Sequence, residues 1–153
     1  MTYEELLMQA DRSGLIVKEK SLSGSDGRIY GRRIAIKKNL KTSAEKSCTL
    51  AEEIGHYQTS VGDIVDLQND SDIKQEYRAR LMGYNTLIGL RGLVEAFEHG
   101  CQSQSETAEY LQVTERFLTD AINCYKSKYG IYTTVDNYII YFEPSLMVGK
   151  LTD

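Results

Sequence analysis

The chain has 153 residues, 41% of them hydrophobic and 26% charged, with a net charge of −4. That length fits one domain of ordinary size with a real core, and the mild acidity argues against a protein that mainly grips phosphate backbones. No run of about 18 apolar residues occurs, so no membrane-spanning segment is expected, and the acidic, amphipathic start Met1–Leu7 is unlike a signal peptide. Cys48, Cys101 and Cys124 are odd in number and lack paired spacing, which reads as reduced thiols of a cytoplasmic protein.

In chain order, Thr2 and Glu5 form a capping-box pair ahead of Tyr3, Leu6, Leu7 and Ala10, apolar at helical spacing, and Ser13-Gly14 closes that helix. Leu15-Ile16-Val17 reads as a short strand and residues 18–27 as a polar loop. Ile29-Tyr30 and Ile34-Ala35-Ile36, flanking Gly31-Arg32-Arg33, read as a hairpin. Thr42 and Glu45 make a second capping box, predicting a helix over 43–58, followed by a loop over 59–70. A further helix from about Ser71 carries Glu76, Tyr77, Ala79, Arg80 and Tyr84. Another, after Gly89, carries Leu90, Leu93, Val94 and Phe97 and ends at Gly100.

Residues 103–129 read as two helices around a tight turn, capped by Ser103 and Thr114. Two runs, 131–135 and 138–142, bracket Asp136-Asn137 as a closing hairpin. The expected class is α+β, helix-dominated, in three parts: residues 1–100 as a core, 101–130 as a helix-turn-helix-like segment packed on it, and 131–153 as hairpin and tail.

The chemistry concentrates in Ala51-Glu52-Glu53-Ile54-Gly55-His56-Tyr57. Zinc peptidase helices carry His-Glu-x-x-His, two ligands one turn apart with a Glu between them as general base. Here His56 and Glu53 occupy the second ligand and base positions, and Glu52 stands where the first His would be. Glu52 and His56 are four residues apart and share a helix face. A catalytic site also needs a third protein ligand: His99 or a downstream acid, of which Glu76 at the start of the next helix is best placed.

Bland readings compete. Glu-x-x-x-His recurs at Glu95 and His99, where a His at a helix C-terminus needs no metal. Cys48 lies on the stripe of Glu52 and His56, but eight residues span about 12 Å of helix, so it reads as core. The basic run Arg28, Arg32, Arg33, Lys37, Lys38, Lys41 and Lys46 reads as a solvated sheet edge. The 103–129 segment has near-balanced charge, which disfavours DNA and favours packing or a protein partner.

The block Cys48–Tyr57 resembles the active-site helix of the ImmA/IrrE family of metallo-endopeptidases. Glu76-Tyr77-Arg78-Ala79 is similar to that family's Glu-x-x-Ala third-ligand helix, and Ala108–Gly130 to the helix-turn-helix-like part of phage-encoded members. The resemblance spans roughly residues 2–130. It implies a zincin-like, cytoplasmic, Zn²⁺-dependent endopeptidase of a phage or mobile element that cleaves or inactivates a partner repressor, with His56 and Glu76 as zinc ligands and Glu53 as base. Glu52, taken as the remaining ligand, departs from the family's His.

Two His and one carboxylate around Zn²⁺ give a formal charge of +1, whereas two carboxylates and one His give a neutral site. The activated water is then less acidic, and harder ions such as Mn²⁺ become competitive. The alternative reading is a non-catalytic regulatory protein with a degenerate metal site that binds a protein partner or DNA.

Overall fold

The computed structural model describes residues 1–62 and 72–152, and of the loop expected over 59–70 the part from 63 to 70 lies outside the described residues. The fold is α+β and helix-dominated. Two compact units divide the chain, Met1–Thr86 and Leu87–Asp153, so that residues 101–130 and 131–153 share a unit with 87–100.

In the first unit, helix α1 (Tyr3–Arg12) begins where Thr2 Oγ1 accepts a hydrogen bond from Glu5 N–H at 3.1 Å, and buries Tyr3, Leu6 and Ala10. Strands β1 (Ile16–Lys20), β2 (Gly27–Tyr30) and β3 (Arg33–Lys37) form a sheet in the order β1-β3-β2. β1 runs parallel to β3 with Ile16 opposite Arg33, and β2 runs antiparallel to it with Ile29 opposite Ile34. β1 extends through the charged Lys18-Glu19-Lys20, which read as loop. Its ladder with β3 supplies backbone bonds that composition does not encode. Ile34 and Ile36 point into the core.

Helix α2 (Ser43–Gly62) carries the motif. Thr42 Oγ1 accepts from Glu45 N–H, while the Glu45 carboxylate reaches one residue further back and accepts from Lys41 N–H, both at 3.1 Å. The helix outlasts its predicted end at residue 58. The hydroxyls of Thr59 and Ser60 donate to the carbonyls of Gly55 and His56 at 2.9 and 2.5 Å, so these residues satisfy themselves within the helix instead of turning the chain. A polar group ties α2 to the sheet and α1. Lys46 pairs with Glu19 at 2.7 Å and lies 5.8 Å from the Tyr3 ring centroid. Burial, then the Glu19 carboxylate, pushes the Tyr3 hydroxyl up to about 12.

Helix α3 (Asp72–Leu87) packs antiparallel on α2 at very short range. Gly55 lies against Ala79, and Gly83 lies against Ala51, so the two sequences run in opposite senses along the contact. A Cβ at Gly55 would run into the carbonyl oxygen of Ala79 and come within 3.1 Å of its carbonyl carbon. One at Gly83 would sit 3.3 Å from Ala51 O. Ala51 and Ala79, which meet these glycines, are buried.

In the second unit, α4 (Gly89–His99), α5 (Gln104–Leu111) and α6 (Glu115–Tyr129) precede a three-stranded antiparallel meander of β4 (Tyr132–Val135), β5 (Tyr138–Tyr141) and β6 (Met147–Lys150). Ser103 and Thr114 cap α5 and α6 through Glu106 N–H and Phe117 N–H. The predicted hairpin is β4–β5, and β6 adds a strand to the segment read as tail. Tyr125 is fully buried, and its hydroxyl accepts from Gly89 N–H at 3.2 Å.

Replacing Gly by Ala inside a helix ordinarily stabilises it by roughly 0.5–1 kcal/mol. Gly55→Ala is expected to do the reverse, because the obstacle is backbone, and to cost about 1–3 kcal/mol. Gly83→Ala, with its looser contact, should cost less. Urea unfolding of both variants checks the sign and the order.

Candidate metal centre

The short α2–α3 spacing determines which side chains meet. Glu52 and His56 are one turn apart on α2, and Glu76 and Arg80 are one turn apart on α3. The two pairs face each other. One donor atom each from Glu52, His56 and Glu76 lies within 4.8 Å of the other two, and all three residues are partly exposed. His56 Nε2 is 3.4 Å from Glu76 Oε2. Two carboxylate oxygens and one imidazole nitrogen converging at a solvent-accessible point form a donor set that can hold a divalent cation.

Glu53 sits beside this trio and is turned towards the sheet. A Cβ built on Gly27, the first residue of edge strand β2, would come 3.1 Å from Glu53 Oε1 and 2.7 Å from Thr49 Cγ2. Gly27 therefore admits the strand backbone right against the Glu53 carboxylate, a role that its place at the end of a polar loop did not signal. Burial raises Glu53 above the usual carboxylate range. The imidazole of His56 acts in the opposite sense, and the carboxylates of Glu52 and Glu76 add to the rise.

Arg80 received no role from the sequence, although its spacing of four from Glu76 was there to read. Its Nε–H donates to Glu76 Oε1 at 2.9 Å and lies 3.7 Å from Glu52 Oε1. The hydrogen bond to Glu76 is the main reason that its guanidinium pKa is raised further, against a smaller opposing effect of burial. Of the other residues weighed, Cys48 is buried in the core. His99 ends α4, its ring 4.5 Å from that of Tyr110, and belongs to no cluster of three metal-binding side chains among the described residues.

The chain's similarities bear on this site directly. The model of the Peptidase_M78 family, described as the IrrE N-terminal-like domain, matches residues 10–123, and the chain belongs to that family. The match takes in both α2 and α3, and the family points to a metallopeptidase. No curated protein and no solved structure matches the chain.

The raised Glu53 carboxyl makes a stability prediction for the metal-free protein. Its folded pKa exceeds the unfolded value of about 4.3, so ionisation is harder in the fold and wild type loses stability as pH rises from there through the folded pKa. Glu53→Gln lacks that penalty. In chelator, the variant should melt above wild type at pH 7, with the gap closing below about pH 4. Thermal unfolding at the two pH values checks it, and an equal gap at both would remove burial of the charge as the cause.

Proposed function

We propose that this protein is a metal-dependent endopeptidase whose ion, Zn²⁺ or a harder divalent cation such as Mn²⁺, is held by Glu52, His56 and Glu76, with Glu53 as general base. The observation that carries the proposal is the convergence of three donors from two helices beside a half-buried third acid, Glu53, inside the span matched by the family model. When bound, the ion supplies Lewis acidity towards a water and a peptide carbonyl.

The rest belongs to the chain. Glu53 accepts the proton of the attacking water and returns it to the leaving amine, and its burial brings its pKa closer to the working pH, as an acid that must also donate requires. β2 is an edge of its sheet, and its outer side pairs with no strand among the described residues. An extended peptide laid along that side would pass Gly27 and the Glu53 carboxylate, which suits a protein substrate presented as a strand.

The substrate proposed is a helix-turn-helix repressor of the same phage or mobile element, met in the cytoplasm. The residues 101–130, read as helix-turn-helix-like, are proposed as packing or partner-binding surface and not as a DNA reader. No helix among the described residues is long and apolar enough to cross a membrane. The second reading, a non-catalytic regulator, draws on one observation: Arg80 already pairs with both Glu76 and Glu52, and His56 Nε2 faces Glu76, so the acids have partners within the protein.

Two experiments separate these readings. Glu53→Gln should lower cleavage of the partner by about 10²–10⁴-fold while keeping wild-type metal content; cleavage at the wild-type rate would remove Glu53 as the base. His56→Ala should lose the metal, and a wild-type chain that purifies without metal yet binds its partner would favour the regulator.

Glu52→His tests the departure from the family. It raises the formal charge of the site by one, so Zn²⁺ should bind more tightly and cleavage should reach its plateau at lower pH. Glu52→Ala should bind more weakly than wild type. Zinc titrations giving the same affinity for all three would take Glu52 out of the site.

A further inference from the structure

We infer that Arg80 is a positioning residue of this centre: it holds one oxygen of Glu76 so that the other faces His56. The inference rests on the metal reading above and adds a residue to it. Glu76 divides its two oxygens between two partners, Oε1 taking the Arg80 Nε–H at 2.9 Å and Oε2 lying 3.4 Å from His56 Nε2. A Glu on a helix surface has three rotatable bonds, and each ordering step costs entropy when an ion binds. A guanidinium one turn along the same helix fixes that rotamer beforehand. The same Nε lies 3.7 Å from Glu52 Oε1, so one cation stands outside both carboxylates of the donor set.

This arrangement also bears on charge. Two carboxylates facing each other without a cation repel, and Glu53 adds a third acid alongside. Arg80 brings a positive charge to the outer side of the pair. It thereby offsets the extra negative charge that Glu52 introduces where the family's motif has a neutral imidazole.

Two physical effects of Arg80 on metal affinity oppose each other, and their sign separates the roles. A guanidinium that acted only as a like charge near a cation would weaken binding, and removing it would tighten binding slightly, since a half-exposed charge is well screened. A guanidinium that orients a ligand strengthens binding, and loss of such outer partners typically weakens affinity by about 10–100-fold. The 2.9 Å hydrogen bond favours the second.

The test is zinc titration against a competing chelator for wild type, Arg80→Ala, Arg80→Lys, Glu76→Ala and the Arg80→Ala/Glu76→Ala double variant, with helix content checked by circular dichroism. Arg80→Ala should bind about tenfold more weakly or worse. Arg80→Lys keeps the charge without the planar fork and should fall between Arg80→Ala and wild type. In the Glu76→Ala background the Arg80→Ala change should add less than about twofold, because residues that act through one another are not additive.

Equal or tighter binding by Arg80→Ala, or a full additional loss in the Glu76→Ala background, overturns the positioning role. Should Arg80→Ala fail to fold, Arg80→Lys carries the comparison, and wild-type affinity in it overturns the proposal. Absence of zinc binding by wild type would sink the metal reading, and this inference with it. Binding by wild type with an unaffected Arg80→Ala would sink this inference alone.

Discussion

The contact between Gly55 and the backbone of Ala79 is the constraint on which the site depends. A side chain at position 55 would hold the axes of α2 and α3 apart, and the residues flanking it, Glu52 and His56, would no longer reach Glu76 and Arg80. Small residues line the rest of the seam, with Ala51 opposite Gly83 and Ala79 fully buried. Helix packing and site chemistry are thus decided by the same residues. Positions that lie between the charged ones in sequence set how far apart those charged groups stand.

The electrostatics of the cluster follow from that proximity. Three carboxylates, one imidazole and one guanidinium share a small, partly exposed region. The acid facing the sheet is the one whose ionisation is made harder by burial, while the two facing the opposite helix have cationic or imidazole partners. Environment thus gives like side chains unlike behaviour, which is how neighbouring acids come to serve different roles at one site. Strand β2 contributes to the same division, since Gly27 brings backbone close enough to shield Glu53 from water.

Much of this was legible in the sequence because it rests on local rules. Capping pairs at Thr2, Thr42, Ser103 and Thr114 marked helix starts that the structure places within a residue, and the turn at Asp136-Asn137 marked the hairpin. The spacing of Glu52, His56 and Glu76 was readable for the same reason, as helical periodicity puts the first two on one face. What escaped depends on distant partners. Strand β1 continues through charged residues because β3 pairs with it, and β6 exists because β5 offers an edge. Arg80 and Gly27 carry no motif of their own. Their meaning comes from what lies across a helix seam or above a strand, and a single sequence does not print such neighbours.

That the three donors are split between α2 and α3 gives the centre a thermodynamic character as well as a chemical one. An ion bound by residues of one helix would leave the packing of the other untouched. An ion gripped by both would act as a cross-link between two successive helices, and by mass action it would stabilise only the docked arrangement. With such an ion bound, the adhesion of α3 to α2 would become a function of the free metal concentration around the protein. The seam that brings the three donors together would tighten or loosen with the supply of any ion bound there.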